Sequence, residues 1–344
     1  MSFPLVTERL RVRVVEASDA GPLHARRNDP DVAALQSWET PVTEATVERI
    51  VAAATGVDEP PIDAWWMLTV ERIADAAVVG DLALRLEWDG RSAEIGYTFA
   101  RDAWGHGYAT EATAALVDHL FSRPELTRVH ATLHPDNHRS ARVLENLGFD
   151  FEGRTRLSYW VGDENTDDVL YGLTRSDHEA WKGRPTNEPA SVRLVEITPD
   201  NQATVYRLQT HKSQERFVSP NVYSFAHALQ PEVIDGAPVV PWYRAVEADG
   251  ELVGFVMMAE ITEAHPEPYL WRLMVDRRHQ RRRIGDRVLD LVIEQCRAWG
   301  AASLAVSWEE GVGGPRPFYE RRGFVATGRI IDDETEARLV FDPA

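Results

Sequence analysis

Ala93-Glu94-Ile95-Gly96-Tyr97-Thr98-Phe99 and, four residues on, Trp104-Gly105-His106-Gly107-Tyr108-Ala109 read as a strand running into a glycine-punctuated turn that opens a helix. From the turn to about Ser122, the residues Ala109, Ala112, Thr113, Leu116, Val117, Leu120 and Phe121 fall at steps of three and four and make one apolar face. A glycine-rich turn between strand and helix aims several backbone N–H groups and the positive end of the helix dipole at one point, which suits a pyrophosphate. Each N–H bond to a charged oxygen is worth roughly 1.5–3 kcal/mol net, so three or four of them anchor a phosphorylated carrier without a lysine. A second strand, Arg128 to His134, follows. Then comes Asn137-x-x-Ser140-x-Arg142-Val143-Leu144-Glu145-x-Leu147-Gly148-Phe149, a helix stopped by glycine.

Working outward, the 344 residues suit two domains of ordinary size. No run of 18 apolar residues occurs, and Met1-Ser2-Phe3-Pro4 lacks the basic and apolar parts of a signal peptide, so a cytoplasmic location is expected and no membrane partner. The one cysteine, Cys296, sits on the apolar face of a predicted helix, which leaves no disulfide framework and no cysteine metal site. No metal-ligand spacing appears elsewhere. The net charge of −18 is uneven: residues 1–182 hold 18 basic and 31 acidic side chains, residues 183–344 hold 19 and 24. Such acidity argues against a nucleic acid and suits a cationic amine.

Before the deciding stretch, Leu10 to Val15 alternates like a strand, Asp19 to Arg27 and Thr43 to Ala54 look helical, and Thr55 to Asp63 is a loop. Trp65 to Arg72 and Val78 to Leu86 form a hairpin in which alternation puts one of Trp65 and Trp66 inside. The polar, proline-bearing residues 183–190 read as a linker between domains 1–182 and 191–344. Beyond it the order repeats. Strands Tyr243 to Glu247 and Leu252 to Glu260 flank a turn, followed by strand Tyr269 to Val275, loop Asp276 to Gly285, helix Asp286 to Trp299, strand Ser303 to Ser307 and a closing Arg316-Pro317-Phe318-Tyr319-Glu320-x-x-Gly323-Phe324.

The ordered residues Trp104 to Ala109, Glu111-Ala112, Asn137, Ser140 and Leu147-Gly148-Phe149 resemble the GNAT superfamily of acetyl-CoA-dependent N-acetyltransferases, in particular the branch that acetylates ribosomal-protein N-termini. In the second half, Gln214-x-x-Phe217-Val218-x-x-Asn221-x-x-Ser224, Leu270-Trp271-Arg272-Leu273-Met274-Val275-Asp276, Gly314-Pro315-x-Pro317-Phe318-Tyr319-Glu320 and Thr327-Gly328 resemble bacterial GNAT proteins of the spermine and spermidine acetyltransferase type. The resemblance implies an α/β chain of two tandem GNAT folds, each a mixed, mostly antiparallel sheet flanked by helices. It also implies acetyl-CoA as co-substrate and a small-molecule or peptide amine as acceptor.

Acetyl transfer from a thioester to an amine needs a held carrier, a neutral amine and a proton for the departing thiolate. An alkyl ammonium of ordinary pKa about 10.4 costs roughly 4–5 kcal/mol to deprotonate at pH 7, which a nearby carboxylate and desolvation reduce. Glu94, on the strand leading into the loop, is the candidate base of the first domain, and His134 and Asn137 are expected at the same cleft. The resemblance assigns Tyr319 as the acid of the second domain, whose carrier loop is Gln280-Arg281-Arg282-Arg283-Ile284-Gly285, and puts Trp271 near the acceptor. The two halves have complementary defects. Leu144 stands where the second half has Tyr319, and Arg283 stands where the family has glycine; the resemblance to the N-terminal-alanine branch implies a serine nearby in the catalytic role, here Ser140, with Asn137 ordering the carrier or the substrate. If Arg283 needs a positive φ, arginine weakens carrier binding; if its backbone is helical, arginine is tolerated.

Overall fold

The computed structural model describes residues 3–57, 59–230, 232–234 and 236–341; Asp58, in the loop expected before Asp63, lies outside them. The chain divides into two compact units, Met1–Gly183 and Arg184–Ala344.

The first unit runs β1 (Leu5–Val6), β2 (Leu10–Val14), α1 (Ala20–Arg27), α2 (Pro30–Ala33), α3 (Glu44–Ala54), β3 (Trp66–Arg72), β4 (Val78–Glu87), β5 (Ser92–Phe99), α4 (Tyr108–Phe121), β6 (Arg128–Leu133), α5 (His138–Asn146), β7 (Asp150–Val161), β8 (Glu164–Thr174) and α6 (Arg175–Lys182). The strands form one sheet in the order β1-β2-β3-β4-β5-β6-β8-β7, with β5 and β6 parallel and the other pairs antiparallel. Period-two alternation sorts its side chains to two faces. Asp81, Arg85 and Glu87 share one face of β4, and Arg26 of α1 reaches Asp81 there in a buried ion pair at 2.5 Å, so this is the α1 face. Ile95 and Tyr97 lie on the opposite face, where Tyr97 meets α5. Leu23, Val47 and Val51 from α1 and α3, and Leu116, Leu120 and Leu144 from α4 and α5, complete one core cluster. Burying each such side chain contributes about 1.5–3 kcal/mol. Trp66 is fully buried, whereas Trp65 is exposed beneath the Arg85 guanidinium at 5.1 Å.

The second unit runs β9 (Val192–Val195), α7 (Gln202–Arg207), α8 (Asn221–Leu229), β10 (Val233–Ile234), β11 (Ala237–Pro238), β12 (Pro241–Ala248), β13 (Glu251–Ala259), β14 (Tyr269–Val275), α9 (Ile284–Ala298), β15 (Ser303–Trp308), α10 (Arg316–Arg321), β16 (Val325–Ile331) and β17 (Glu334–Val340). Its main sheet reads β9-β12-β13-β14-β15-β17-β16, the same path as β2-β3-β4-β5-β6-β8-β7, and again only the middle pair, β14 and β15, is parallel. The repeat seen in the sequence is therefore a repeat of topology. α9 buries Val288, Leu289, Val292 and Cys296 against this sheet, and burial pushes the Cys296 thiol up to about 12, which makes it inert packing. The residues read as a linker fold onto this unit: Arg282 Nε donates to the Asn187 carbonyl at 2.7 Å, and Arg287 donates to that of Pro189 at 2.5 Å. No described helix is long and apolar enough to cross a membrane.

Candidate active site

β5 and β6 pair only at Ser92↔Arg128, Ala93↔Val129 and Glu94↔His130. Beyond that rung β5 continues along β4 to Phe99 while β6 follows β8, so the two strands splay. A splayed pair turns unpaired N–H and C=O groups toward a slot, where an extended chain bearing amide groups finds hydrogen-bond partners. At the open end of the slot lies the expected carrier loop. Gly105 and Gly107 have φ of 80° and 79°, a conformation that a residue with a Cβ adopts at about 1–2 kcal/mol. The first-turn N–H groups of α4, on Tyr108, Ala109 and Thr110, have no acceptor among the described residues. The Trp104 indole N–H donates to the Phe99 carbonyl at 3.0 Å and its ring lies under Arg139, which fastens the loop to the strand end. His106 stacks on Tyr108, and Ala109 packs half-buried on the core.

Glu111 anchors the loop from the other side. Its carboxylate accepts from the Thr7 hydroxyl at 2.5 Å, the Arg9 backbone N–H at 2.9 Å and Arg9 Nε at 2.7 Å, while Arg9 also donates to the His106 carbonyl. Burial works to raise this carboxyl, but those donors outweigh it and hold it below the usual range.

On the α5 face, Asn137 caps α5 by accepting from the Ser140 N–H at 3.1 Å. Ser140 Oγ donates to the Tyr97 hydroxyl at 2.8 Å, and Tyr97 donates to the Ser140 carbonyl at 2.8 Å. Tyr97 thus reaches from β5 beyond the last rung to the first turn of α5, beside the slot. Burial pushes its phenol well above the ordinary range, so it stays protonated. Sequence reasoning did not single out Tyr97; its place two residues after Ile95, on the row opposite Glu94, is the signal that finds it. Leu144 is fully buried core.

On the α1 face, Glu94 and His130 form the last rung. Arg85 pairs with Glu94 and, at 3.1 Å, with Glu87, and His130 Nε2 lies 2.9 Å from Glu87 Oε2. Glu87, Glu94 and His130 bring ligand atoms within 4.8 Å of one another, but the Arg85 guanidinium already bonds both carboxylates and a cation would have to displace it. His134 sits past the end of β6, where its Nδ1 accepts from the Asp136 N–H at 3.1 Å and its ring meets Tyr159 edge-on. It is at the margin of the slot.

The second unit builds the same slot with other residues. β14 and β15 pair only at Tyr269↔Ala305 and Leu270↔Val306. Gln280 takes the fastening role: its amide donates to the Val275 carbonyl at 3.1 Å and exchanges hydrogen bonds with Gln214. Arg281 and Arg283 hold φ of 62° and 59° at the positions of Gly105 and Gly107. The helical alternative for Arg283 is therefore excluded, and both arginines are strained. Arg282 is buried away from the loop mouth, bonded to Asn187 and to His279 Nδ1 at 2.9 Å. Ile284 is core, and a Cβ on Gly285 would sit 3.7 Å from Phe318. Tyr319 is buried, stacked on Trp308 at 5.7 Å, with its phenol raised by burial and no hydrogen bond to its hydroxyl among the described residues. Trp271 occupies a bulge of β14 and packs against the α7 and α8 side of the sheet.

A split parallel pair, a left-handed loop before a helix with free N–H groups and a buried hydroxyl at the slot define an acyl-carrier transferase. Residues 9–150 match the family described as Acetyltransferase (GNAT) domain, and residues 204–324 match Acetyltransferase (GNAT) family. The chain is 31% identical over 175 residues to a protein named Uncharacterized N-acetyltransferase p20 from Bacillus licheniformis, which covers 51% of this chain and 97% of that protein. It is 30% identical over 83 residues to the [Ribosomal protein uS5]-alanine N-acetyltransferase of Escherichia coli (24% of this chain, 43% of that protein). Among solved structures, an acetyltransferase (GNAT family) from Bacillus anthracis aligns with a TM-score of 0.46 and 27% identity over 51% of this chain and 99% of that chain. The chain belongs to the GNAT family and is an acetyl-CoA-dependent N-acetyltransferase with two GNAT domains in tandem.

Proposed function

We propose that both slots transfer acetyl from acetyl-CoA to a primary amine, the first unit to a peptide N-terminus and the second to a small cationic amine such as a polyamine or aminated antibiotic. The observation that carries this reading is the last rung of each split pair, with a protonated phenol on one face of the sheet and an acidic or polar apex on the other. In the first unit the thioester carbonyl sits past Glu94, the amine approaches from the α1 face, and Ser140 with Tyr97 returns a proton to the thiolate. In the second, Tyr319 supplies that proton, and Tyr269 with Ser307 and Glu334 lines the apex. The peptide assignment is supported by the first domain's resemblance to ribosomal-protein acetylators and by the uS5-alanine activity named for the Escherichia coli relative.

Incubation with acetyl-CoA and a panel of N-terminal peptides, polyamines and aminated antibiotics, read by mass spectrometry, tests the proposal. Tyr319→Phe lowers turnover of the small amine by about 10²–10⁴-fold and leaves the peptide untouched. Equal loss on both substrates, or on neither, would refute the division of labour. A second reading is favoured by the strained Arg281 and Arg283: the second unit holds carrier weakly and the first does the chemistry. Titration of acetyl-CoA into Gly107→Trp and Gly285→Trp separates the two, because on this reading only the first substitution abolishes measurable binding.

A further inference from the structure

We propose that Arg272 of the second unit holds a carboxylate of the acceptor, which narrows the small cationic amine of that slot to a diamino carboxylic acid. This rests on the second slot being a working acetyl-transfer site. Arg272 adds a contact to that reaction and no chemical step. The last rung between β14 and β15 is Leu270↔Val306, so Arg272 lies where the strands have parted. It pairs with Met257, a member of the apolar cluster under α7 and α8, and so stands on that face of the sheet, opposite α9. This is the counterpart of the α1 face from which the amine approaches the first slot. The two carrier loops fasten at Phe99 and Val275, and the residues three positions before these are Gly96 and Arg272. The first slot thus has bare backbone where the second has a guanidinium.

That guanidinium is short of partners. Its Nε is sealed without a hydrogen bond, its Nη1 donates to the neighbouring Trp271 carbonyl at 2.8 Å, and it enters no ion pair among the described residues. Nη2 keeps accessible surface, so a ligand reaches the outer edge of the fork. A planar guanidinium with unused donors matches a carboxylate. Across the slot the sign reverses. Ser307, one residue past the last rung on β15, donates to Glu334 of β17, and Glu334 enters no ion pair among the described residues. Glu336, paired with Ser307 in the sheet register, is already engaged by the Thr327 hydroxyl at 2.5 Å and by Arg329 at 3.3 Å. Tyr269 feels both signs: burial chiefly raises its phenol, Glu334 and Glu336 push the same way, and Arg272 opposes them. An uncompensated cation on one lip and an uncompensated carboxylate on the other fit a ligand that carries both charges. A polyamine satisfies Glu334 and is repelled by Arg272.

The test uses the full chain with acetyl-CoA and two matched pairs of acceptors, lysine with cadaverine and ornithine with putrescine, each pair differing by one carboxylate. Turnover is assigned to the second unit by its loss in Tyr319→Phe. The parent chain is expected to favour the diamino acid of each pair in kcat/KM by about 10²-fold, and Arg272→Met to lower that ratio by about 10²-fold. A ratio taken on one preparation does not depend on the fraction that folds. Where Arg272→Met turns over neither acceptor, Arg272→Lys decides, because it keeps the charge, loses the fork and should lower the ratio by about 10-fold. A parent that favours the diamine, or a ratio indifferent to the substitutions, would overturn the proposal. So would an Arg272→Met chain whose KM for acetyl-CoA rises while the ratio holds, which would put the guanidinium on the carrier. If the parent acetylates no small amine in a Tyr319-dependent way, the functional reading of the second slot falls, and the proposal with it.

Discussion

Glu111 is a single carboxylate through which Thr7 and Arg9, at the start of the sheet, hold the first turn of the carrier helix. Thr7, the Arg9 backbone and the Arg9 side chain all donate to it, and these bonds hold its folded-state pKa below the unfolded value. A depressed carboxyl stabilises the fold fully above the unfolded value of about 4.3 and loses that contribution as pH falls through the folded one. Glu111→Gln keeps the size and removes the charge, so at pH 7 it should be about 1–3 kcal/mol less stable than the parent. Denaturant unfolding across pH 7 to 3 should show the two chains converging as the pH drops below about 4. A constant gap would mean that the contacts act through packing, not charge. The same residue illustrates what a linear reading can reach. Its place in the first helical turn points to a role at the helix terminus, but its partners lie about a hundred positions earlier, and nothing local names them.

At the scale of the element, the two carrier loops are one backbone written with different residues. Gly105-His106-Gly107 was legible because glycine at two alternate positions reports the left-handed backbone it permits. Arg281-Arg282-Arg283 was not, since arginine argues for the opposite conformation and the left-handed φ is imposed by the tertiary fold, through Gln280 bonded to Val275 and Arg282 bonded to Asn187. The strands β3, β4 and β5 and the helices α3, α4 and α9 followed from periodicity, and the shared order of the two halves exposed the repeat; the parting of β5 from β6 did not follow from it. The pairs Tyr97 with Ser140 and Glu87 with His130 did not, because each joins residues 43 apart through a strand register the sequence does not print. The strain makes a prediction. Arg283→Gly and Arg281→Gly should each stabilise the second unit by about 1 kcal/mol by removing a left-handed Cβ. If the loop arginines act only as charge, the double substitution will instead leave the thermal midpoint where it was. Isothermal titration of the same variants reports whether closer backbone approach to the pyrophosphate outweighs the two lost charges.

For the whole molecule, charge sets the two substrates against each other. The first 182 residues carry a surplus of acidic side chains, 31 against 18, and the remainder a smaller one, 24 against 19. A cationic acceptor is drawn to such a surface, whereas a polyphosphate carrier is repelled except where N–H groups and arginines gather locally. Salt weakens both effects, with a Debye length falling from about 30 Å at 0.01 M to about 10 Å at 0.1 M. Raising ionic strength should therefore lower kcat/KM for a polycationic acceptor. For the carrier the two units should respond with opposite sign. In the Gly285→Trp chain, where only the first loop remains, the acetyl-CoA dissociation constant should fall or hold as salt rises, because long-range repulsion is screened and the N–H contacts of α4 are short-range. In the Gly107→Trp chain it should rise, because the exposed Arg283 beside the second loop contributes an attraction that salt removes. Calorimetric titration from 0.01 to 0.3 M salt measures both, and slopes of the same sign would mean that the arginines of the second loop stand off the pyrophosphate and leave backbone N–H groups as the common anchor of the two slots.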